Sequence, residues 1–405
     1  MADNKKKITK KDWISNFSLL GVAKVNDDYT FKINEKSNSS NWIYSRMNLG
    51  IDCGEKNGII YASMNGGYSG DGNNVIYAHG KKEDGTDDFE SRLEIDWNDR
   101  FDESILETVG DMCFITVALE KTESGKLFKK RFLSEYDAIA YCNEHIVDGT
   151  KLYIRGNLKY SMYNGKTTID KEIKSISIAA SSVNENADTQ TKDDRFAKFT
   201  QTILFDKDSC NLRDVDKETG MMSINATVLA YLKEYNNIEV RGNFPYKVGF
   251  EFHLNLENQK QCKMCYDKLF KVKKGYTQIT FEGEFVESGA VITPSWDDIP
   301  DDIKELVEMN VFTKEEALEK CAASGTKEKK MILTKPYIKK VNKNDTITAV
   351  LQKFEERYSE DDLYLDYLYQ KDDVSNDEAE IENKSSESDS DMSWLDDLDA
   401  FEEIV

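Results

Sequence analysis

Proline and histidine are both scarce: four prolines and three histidines in 405 residues. So few prolines leave little room for rigid Pro-rich spacers and point to compact modules with short connections. So few histidines remove the commonest metal ligand. Cys262 and Cys265 form the only C-x-x-C, and no second pair or nearby histidine follows to complete a zinc ribbon. The other cysteines, 53, 113, 142, 210 and 321, are widely spaced and the total of seven is odd, which excludes a secreted disulfide framework. The expectation is two reduced thiols on a helix. No apolar run approaches the roughly 18 residues a membrane span needs. The first residues are polar and lysine-rich where a signal peptide would be apolar. The chain reads as cytoplasmic.

Catalytic signatures are missing as well. The glycine run from Gly66 to Gly72 lacks the Lys-Ser/Thr and helix of a phosphate-binding loop. Neither a serine elbow nor His-Glu-x-x-His occurs. Asp96, Asp99 and Asp102 are a conceivable magnesium site, but a chain this acidic offers many such sets. The chain is expected not to be an enzyme and to need no cofactor.

Positive charge is also in deficit, with 54 Lys and Arg against 76 Asp and Glu and a net charge of −22. Its distribution is uneven. Residues 371–405 carry 14 acidic and 2 basic residues, more than half of the net charge. Composition there collapses to Asp, Glu, Ser and Asn, which cannot offset the entropy of ordering. This predicts a disordered tail. At its end Trp394, Leu395, Leu398, Phe401 and Val405 recur at helical spacing among carboxylates, a pattern suited to a hydrophobic, basic-rimmed partner groove.

What remains is rich in alternating β-branched and aromatic residues. Strands are expected at 17–25, 43–52, 58–65, 93–97, 113–119, 151–159 and 167–178. A helix at 135–145 follows Ser134 as N-cap. Asn164-Gly165 is a hairpin signal. Residues 181–195 have almost nothing to bury and read as a linker. Beyond it, strands are expected at 196–206, 222–231, 237–243, 250–254 and 277–288, with a helix over 256–270. Pro300 opens a further helix, Thr313 and Glu316 form a capping box, and 331–341 is a strand broken at Pro336.

The fold class is mainly β with α. The division reads as a polar lead-in at 1–12, a β-module at 13–180, a linker at 181–195 and a second β-module with a helical insertion at 196–350. A helical segment at 351–370 and the tail at 371–405 complete it.

Gly149, Leu152, Ile154 and Gly156 lead into a long hairpin, 160–178, with aromatic and basic residues. This arrangement resembles the later strands of bacterial single-stranded DNA-binding proteins, which are oligonucleotide-binding (OB) barrels. Two β-rich modules, a linker and an acidic tail also resemble the long single-strand-binding proteins of bacteriophages. The resemblance implies two OB-like barrels, sequence-independent binding of single-stranded DNA in replication or recombination, and a tail that recruits partner proteins. This tail lacks the Pro-Phe ending usual in the bacterial family.

The residues themselves point the same way. Single strands are held by rings that stack on bases and cations that track phosphates. Alternation puts Ile43, Met47, Leu49 and Ile51 on a core face and Trp42, Tyr44, Arg46 and Asn48 on the other. Tyr61 joins the second set from the next strand, and Tyr153, Arg155 and Lys159 are expected to complete one face. Tyr160 and Tyr163 belong to the hairpin. Tyr68, Tyr77, Lys81 and Lys82 lie in or beside a glycine-rich segment expected to be a mobile flap. Lys129, Lys130 and Arg131 form a basic cluster. Arg241, Phe244, Tyr246 and Lys247, then Lys271, Lys273, Lys274 and Tyr276, are weaker equivalents in the second module. The rival reading is packing of these rings under a helix. The rival function is an acidic interaction or inhibitor protein that occupies a partner's nucleic-acid site. DNA or RNA preference and self-association stay open.

Overall fold

The computed structural model describes residues 5–368, apart from 27–28, 164, 180–192, 293–295, 297–298, 310–312, 315–316, 318–322 and 344–345. The expected tail, with Trp394, Leu395, Leu398, Phe401 and Val405, lies outside the described residues, as do most of the expected linker and Asn164.

The chain opens with β1 (Ser15–Lys24), β2 (Phe31–Lys36), β3 (Trp42–Asp52) and β4 (Ile59–Ser69). A separate hairpin follows, β5 (Val75–Lys81) and β6 (Asp87–Asp96), then α1 (Glu103–Thr108). Next come β7 (Ile115–Lys121), β8 (Leu127–Phe132), α2 (Glu135–His145), β9 (Lys151–Tyr163) and β10 (Lys166–Ile178). Beyond the linker are β11 (Phe196–Phe205), β12 (Met221–Tyr235), β13 (Ile238–His253), α3 (Gln259–Leu269) and β14 (Tyr276–Ile292). The rest is α4 (Asp301–Glu308), β15 (Ala323–Pro336), β16 (Ile338–Lys343), β17 (Thr346–Leu351), β18 (Lys353–Tyr358) and α5 (Glu360–Leu363).

β1, β3, β4, β10 and β9 pair in that order, and β9 returns to β1, which closes a five-stranded barrel. All pairings are antiparallel except β4 with β10. This is the strand order of an OB barrel, with α2 between its third and fourth strands. Closure demands a sharp bend, and Gly156 in mid-β9 supplies it: a Cβ there would collide with the Glu172 carbonyl oxygen and the Phe17 ring. The interior is filled by the alternate residues the sequence marked, among them Met47, Leu49, Ile51, Ile60, Leu152 and Ile154. α2 forms where expected. Ser134 Oγ accepts from the Tyr136 N–H at 3.1 Å, and Ala138, Ile139 and Cys142 are buried.

The same order of pairings recurs beyond the linker. β11, β12, β13, β15 and β14 close a second ring, again with only the third and fifth strands parallel and with α3 between the third and fourth. Phe205, Phe270 and Phe281 are fully buried in it, each worth roughly 1.5–3 kcal/mol against exposure.

β1 also pairs antiparallel with β11, Ser15 to Gln201 through Leu20 to Phe196, so one sheet runs through both rings. The β9–β10 hairpin reaches past the first barrel onto the second ring, where Lys171 pairs with Glu287 at 3.1 Å.

Several expectations change. The polar lead-in is strapped down: Ile8 is buried against β13, and Thr9 accepts from Tyr358 Oη at 2.9 Å. At the end of the expected linker, Arg195 bonds Asp52 and Lys151 bonds Asp194, at 2.9 and 2.8 Å. The strands expected at 237–243 and 250–254 are one strand, because Pro245 within β13 does not interrupt its pairing with β12. The segment 351–370 is not mainly helical among its described residues: β18 pairs with β14, and the single turn of α5 and a 3-10 turn at Asp366–Leu368 follow. β2, β5, β8, β17 and β18 were not legible, being short, polar or charged.

Among the described residues, no helix is long and apolar enough to cross a membrane.

Candidate nucleic-acid interface

β2, β3 and β4 form a three-stranded outer face on the first barrel. Residues directly opposite each other in a ladder share a face. One row is Lys32, Arg46 and Asn65; the next is Glu35, Tyr44 and Gly67; Asn48 and Ser63 pair on the far side of the first. Exposed rings stand at the two ends. Trp42 is 43% exposed and Tyr61 46%. Each ring lies against a glycine: Trp42 against Gly67, Tyr61 against Gly50. Eight residues of β3 separate Trp42 from Gly50, about 26 Å at strand rise.

Trp42 also walls a cleft of about 350 Å³ with Trp97, under the β5–β6 hairpin and the start of α2. Trp97 is held from behind by Arg100, 4.1 Å from its ring, and by Tyr68 at 5.0 Å. Arg100 is fixed in turn by a two-pronged bond to Asp137, at 2.7 and 3.2 Å. Both indoles therefore line the same cleft.

The single face expected from sequence is divided. Trp42, Tyr44, Arg46 and Tyr61 share the β3–β4 surface. Tyr153, Arg155 and Lys159 do point outward, but from β9, whose neighbours are β1 and β10. Tyr153 packs edge-on against Phe196 at 6.3 Å, and Arg155 lies 5.8 Å from the Tyr153 ring. They overlook a groove of about 930 Å³ shared with Lys198, Glu282 and Glu284, on another side of the molecule. Barrel closure separates what strand-by-strand alternation had placed together.

Tyr160 is not a surface residue. It is 2% exposed, donates to Gln201 Oε1 at 2.9 Å and packs on Tyr246 at 6.1 Å. Its parity with Leu158 sends it inward, and the second ring covers that side of the arm. Tyr163, 36% exposed, stays outside near the tip. Phe244 and Tyr246 are likewise core, whereas Lys247 is exposed. Lys271, Lys273 and Lys274 are exposed and follow α3.

The glycine-rich segment is not a free flap. Its first half extends β4 and its second is β5, paired with β6. Gly66 is needed because a Cβ would sit 2.7 Å from the Tyr136 backbone nitrogen, where α2 begins. Tyr68 is packed between Trp97 and Tyr136. Tyr77 is 63% exposed, with Arg92 4.6 Å from its ring. Lys81 bonds Asp111 at 2.9 Å, a carboxylate that also holds Arg131 at 3.4 Å. Lys82 is exposed at the turn. Lys129, Lys130 and Arg131 lie on the sheet-edge strand β8, with Lys130 4.4 Å from the Tyr141 ring and Arg131 4.5 Å from Phe114.

One small network fixes the β5–β6 hairpin. His79 Nε2 and Asp87 Oδ1 are 2.6 Å apart, Cys113 Sγ is 3.3 Å from His79 Nδ1, and Asp87 accepts from the Met112 N–H at 3.0 Å. The Met112 amide, then His79, hold the Asp87 carboxyl below the usual carboxylate range. A lowered folded-state value stabilises the hairpin's seat above the ordinary range, and this is lost as pH falls through the lowered value. Hydrogen exchange in 75–96, corrected for intrinsic rate, is therefore expected to rise selectively below about pH 4. Asp87→Asn should already show that faster exchange at neutral pH; equal protection in variant and wild type would remove Asp87 from this role.

Two of the three carboxylates weighed as a metal site, Asp96 and Asp102, are used locally. Asp96 accepts from the Asn98 N–H and Asp102 from the Ser104 N–H, both at 2.9 Å, capping short helical turns. No cluster among the described residues is arranged to hold a metal ion. Cys262 and Cys265 are free thiols on α3.

A family model described as YorF matches residues 78–279, from β5 to β14 and so across parts of both rings. Among solved structures, a deletion variant of the single-stranded DNA-binding protein from Thermus aquaticus is similar at 8% identity and a TM-score of 0.29. That match covers 68% of this chain and 88% of the other. No curated protein matches.

Sequence reasoning missed Lys32, because β2 carries too few apolar residues to be seen as a strand. It also missed Trp97, whose partners come from three separate segments.

Proposed function

We propose that the chain binds single-stranded DNA without sequence preference. It does so through two OB-like modules, protecting the strand during replication or recombination and recruiting partner proteins by the hydrophobic tip of its acidic tail. The observation that carries this reading is the β2–β3–β4 face. It sets exposed Trp42 and Tyr61 at either end of a polar, Lys32- and Arg46-bearing strip on the barrel surface by which OB folds take oligonucleotides. Strand length and ring spacing suit several nucleotides, within the roughly 4–16 per OB fold such proteins cover. Stacking on the rings and phosphate contact by the cations are sequence-tolerant, which is the basis for binding without sequence preference.

The rival, an acidic protein that blocks a partner's nucleic-acid site, draws support from the net charge of −22. Fluorescence anisotropy separates the two. Labelled oligo-dT should bind far more tightly than an equal-length duplex, with a log–log salt slope of about −1 to −2 for the phosphate contacts that Lys32 and Arg46 offer on this face. Truncation at residue 370 should preserve or tighten binding, since it removes carboxylates that compete with phosphates. Absence of binding by both forms would exclude the proposal and favour the inhibitor.

A further inference from the structure

Where the β9–β10 arm meets the second ring there is a cleft of about 600 Å³. Its charge is opposite to that of the chain as a whole, with five lysines against two carboxylates in the lining. Lys166 and Lys171 come from the arm, Lys247 from β13, and Lys329 and Lys330 from β15. The two carboxylates are Asp170 and Glu287. Glu287 is engaged by Lys171 at 3.1 Å, with both side chains nearly buried. Burial pushes the Asp170 carboxyl up, towards its neutral form. Lys330 bonds Glu251 at 3.3 Å. Lys166, Lys247 and Lys329 are exposed and have no carboxylate partner among the described residues.

Beneath these cations the floor is apolar, with Ile169, Val248 and Met331, and Tyr163 stands at the rim, 36% exposed. Lysines are mobile point charges, and three of them on separate strands suit a succession of phosphates better than one fixed anion. An apolar floor and a rim tyrosine suit bases or sugars between those phosphates.

We propose that this cleft is a second contact for single-stranded nucleic acid, in which Lys166, Lys247 and Lys329 hold backbone phosphates. The strand then engages both rings, and the footprint exceeds that of the β3–β4 face. The inference rests on the single-strand-binding reading above, and its test is built to fail separately from it.

The variant Lys166→Glu/Lys247→Glu/Lys329→Glu changes only exposed side chains, so its melting temperature should match wild type. A control, Lys207→Glu/Lys217→Glu, alters two exposed lysines in the β11–β12 connection. Two probes are used, an oligo-dT just long enough for the β3–β4 face and one about three times longer. The short probe should bind the triple variant as it binds wild type. The long probe should lose at least about tenfold in affinity, with its salt slope shallower by about 2 units. The control should change neither. Unchanged long-probe binding, or equal losses with both probes, would overturn the cleft while leaving the β3–β4 interface standing. Failure of wild type to bind either probe would overturn both. Inorganic tripolyphosphate is the third arm: if it binds wild type but not the triple variant, and the long probe is indifferent to the substitutions, the cleft serves a free polyphosphate and the proposal falls.

Discussion

Trp42→Ala combined with Tyr61→Ala should weaken oligo-dT binding by about 2–6 kcal/mol, since each stacked ring contributes about 1–3 kcal/mol. The two rings stand at opposite ends of the β3–β4 face and contact different glycines, Gly67 and Gly50. Their effects should therefore add within about 0.5 kcal/mol. Both rings are more than 40% exposed, so little core is disturbed and the melting temperature should move only slightly. Anisotropy titrations of the two single variants and the pair, at one salt concentration, measure this directly. A loss below twofold for the pair, in a protein that still binds, would move the interface away from this face.

Gly156→Ala should be among the most damaging single methyls added to the first barrel. The new Cβ would press into the Glu172 carbonyl oxygen and the Phe17 ring, neither of which is the movable end of a flexible side chain. β9 would have to part from β10 at the point where Gly156 faces Ile173, next to the bulge that already interrupts this ladder. Overpacking costs typically 1–3 kcal/mol, and a backbone clash belongs at or above the top of that range, about 3 kcal/mol. Urea titration followed by tryptophan fluorescence should show a lower midpoint with an unchanged slope. Gly85→Ala makes a useful contrast. That turn has open space around it, so only its positive φ of 80° penalises a side chain there and the cost should be smaller. Equal stability of Gly156→Ala and wild type would mean the bend tolerates a side chain, contrary to the packing.

The sequence set the location and inward parity of most strands, the position of α2 and its Ser134 cap, the bend at Gly156, and the outward rings Trp42, Tyr44 and Tyr61. Those features depend on neighbours one to four residues away, through alternation, capping and turn chemistry. Tyr160 was also legible, since its parity matches Leu158; reading it as a hairpin surface residue set that parity aside. Tertiary structure decided which outward residues share a face. Closure of the barrel carries Tyr153 and Arg155 away from Trp42 and Arg46, and pairing of β1 with β11 fuses the two rings through one sheet. It likewise gathered Lys166, Lys247 and Lys329 from three strands into one cleft, and packed Trp97 against Tyr68 and Tyr136. The physical reason is range. Local pattern fixes the side of a strand on which a residue stands, whereas its neighbours on that side come from strands tens to hundreds of residues away in the chain.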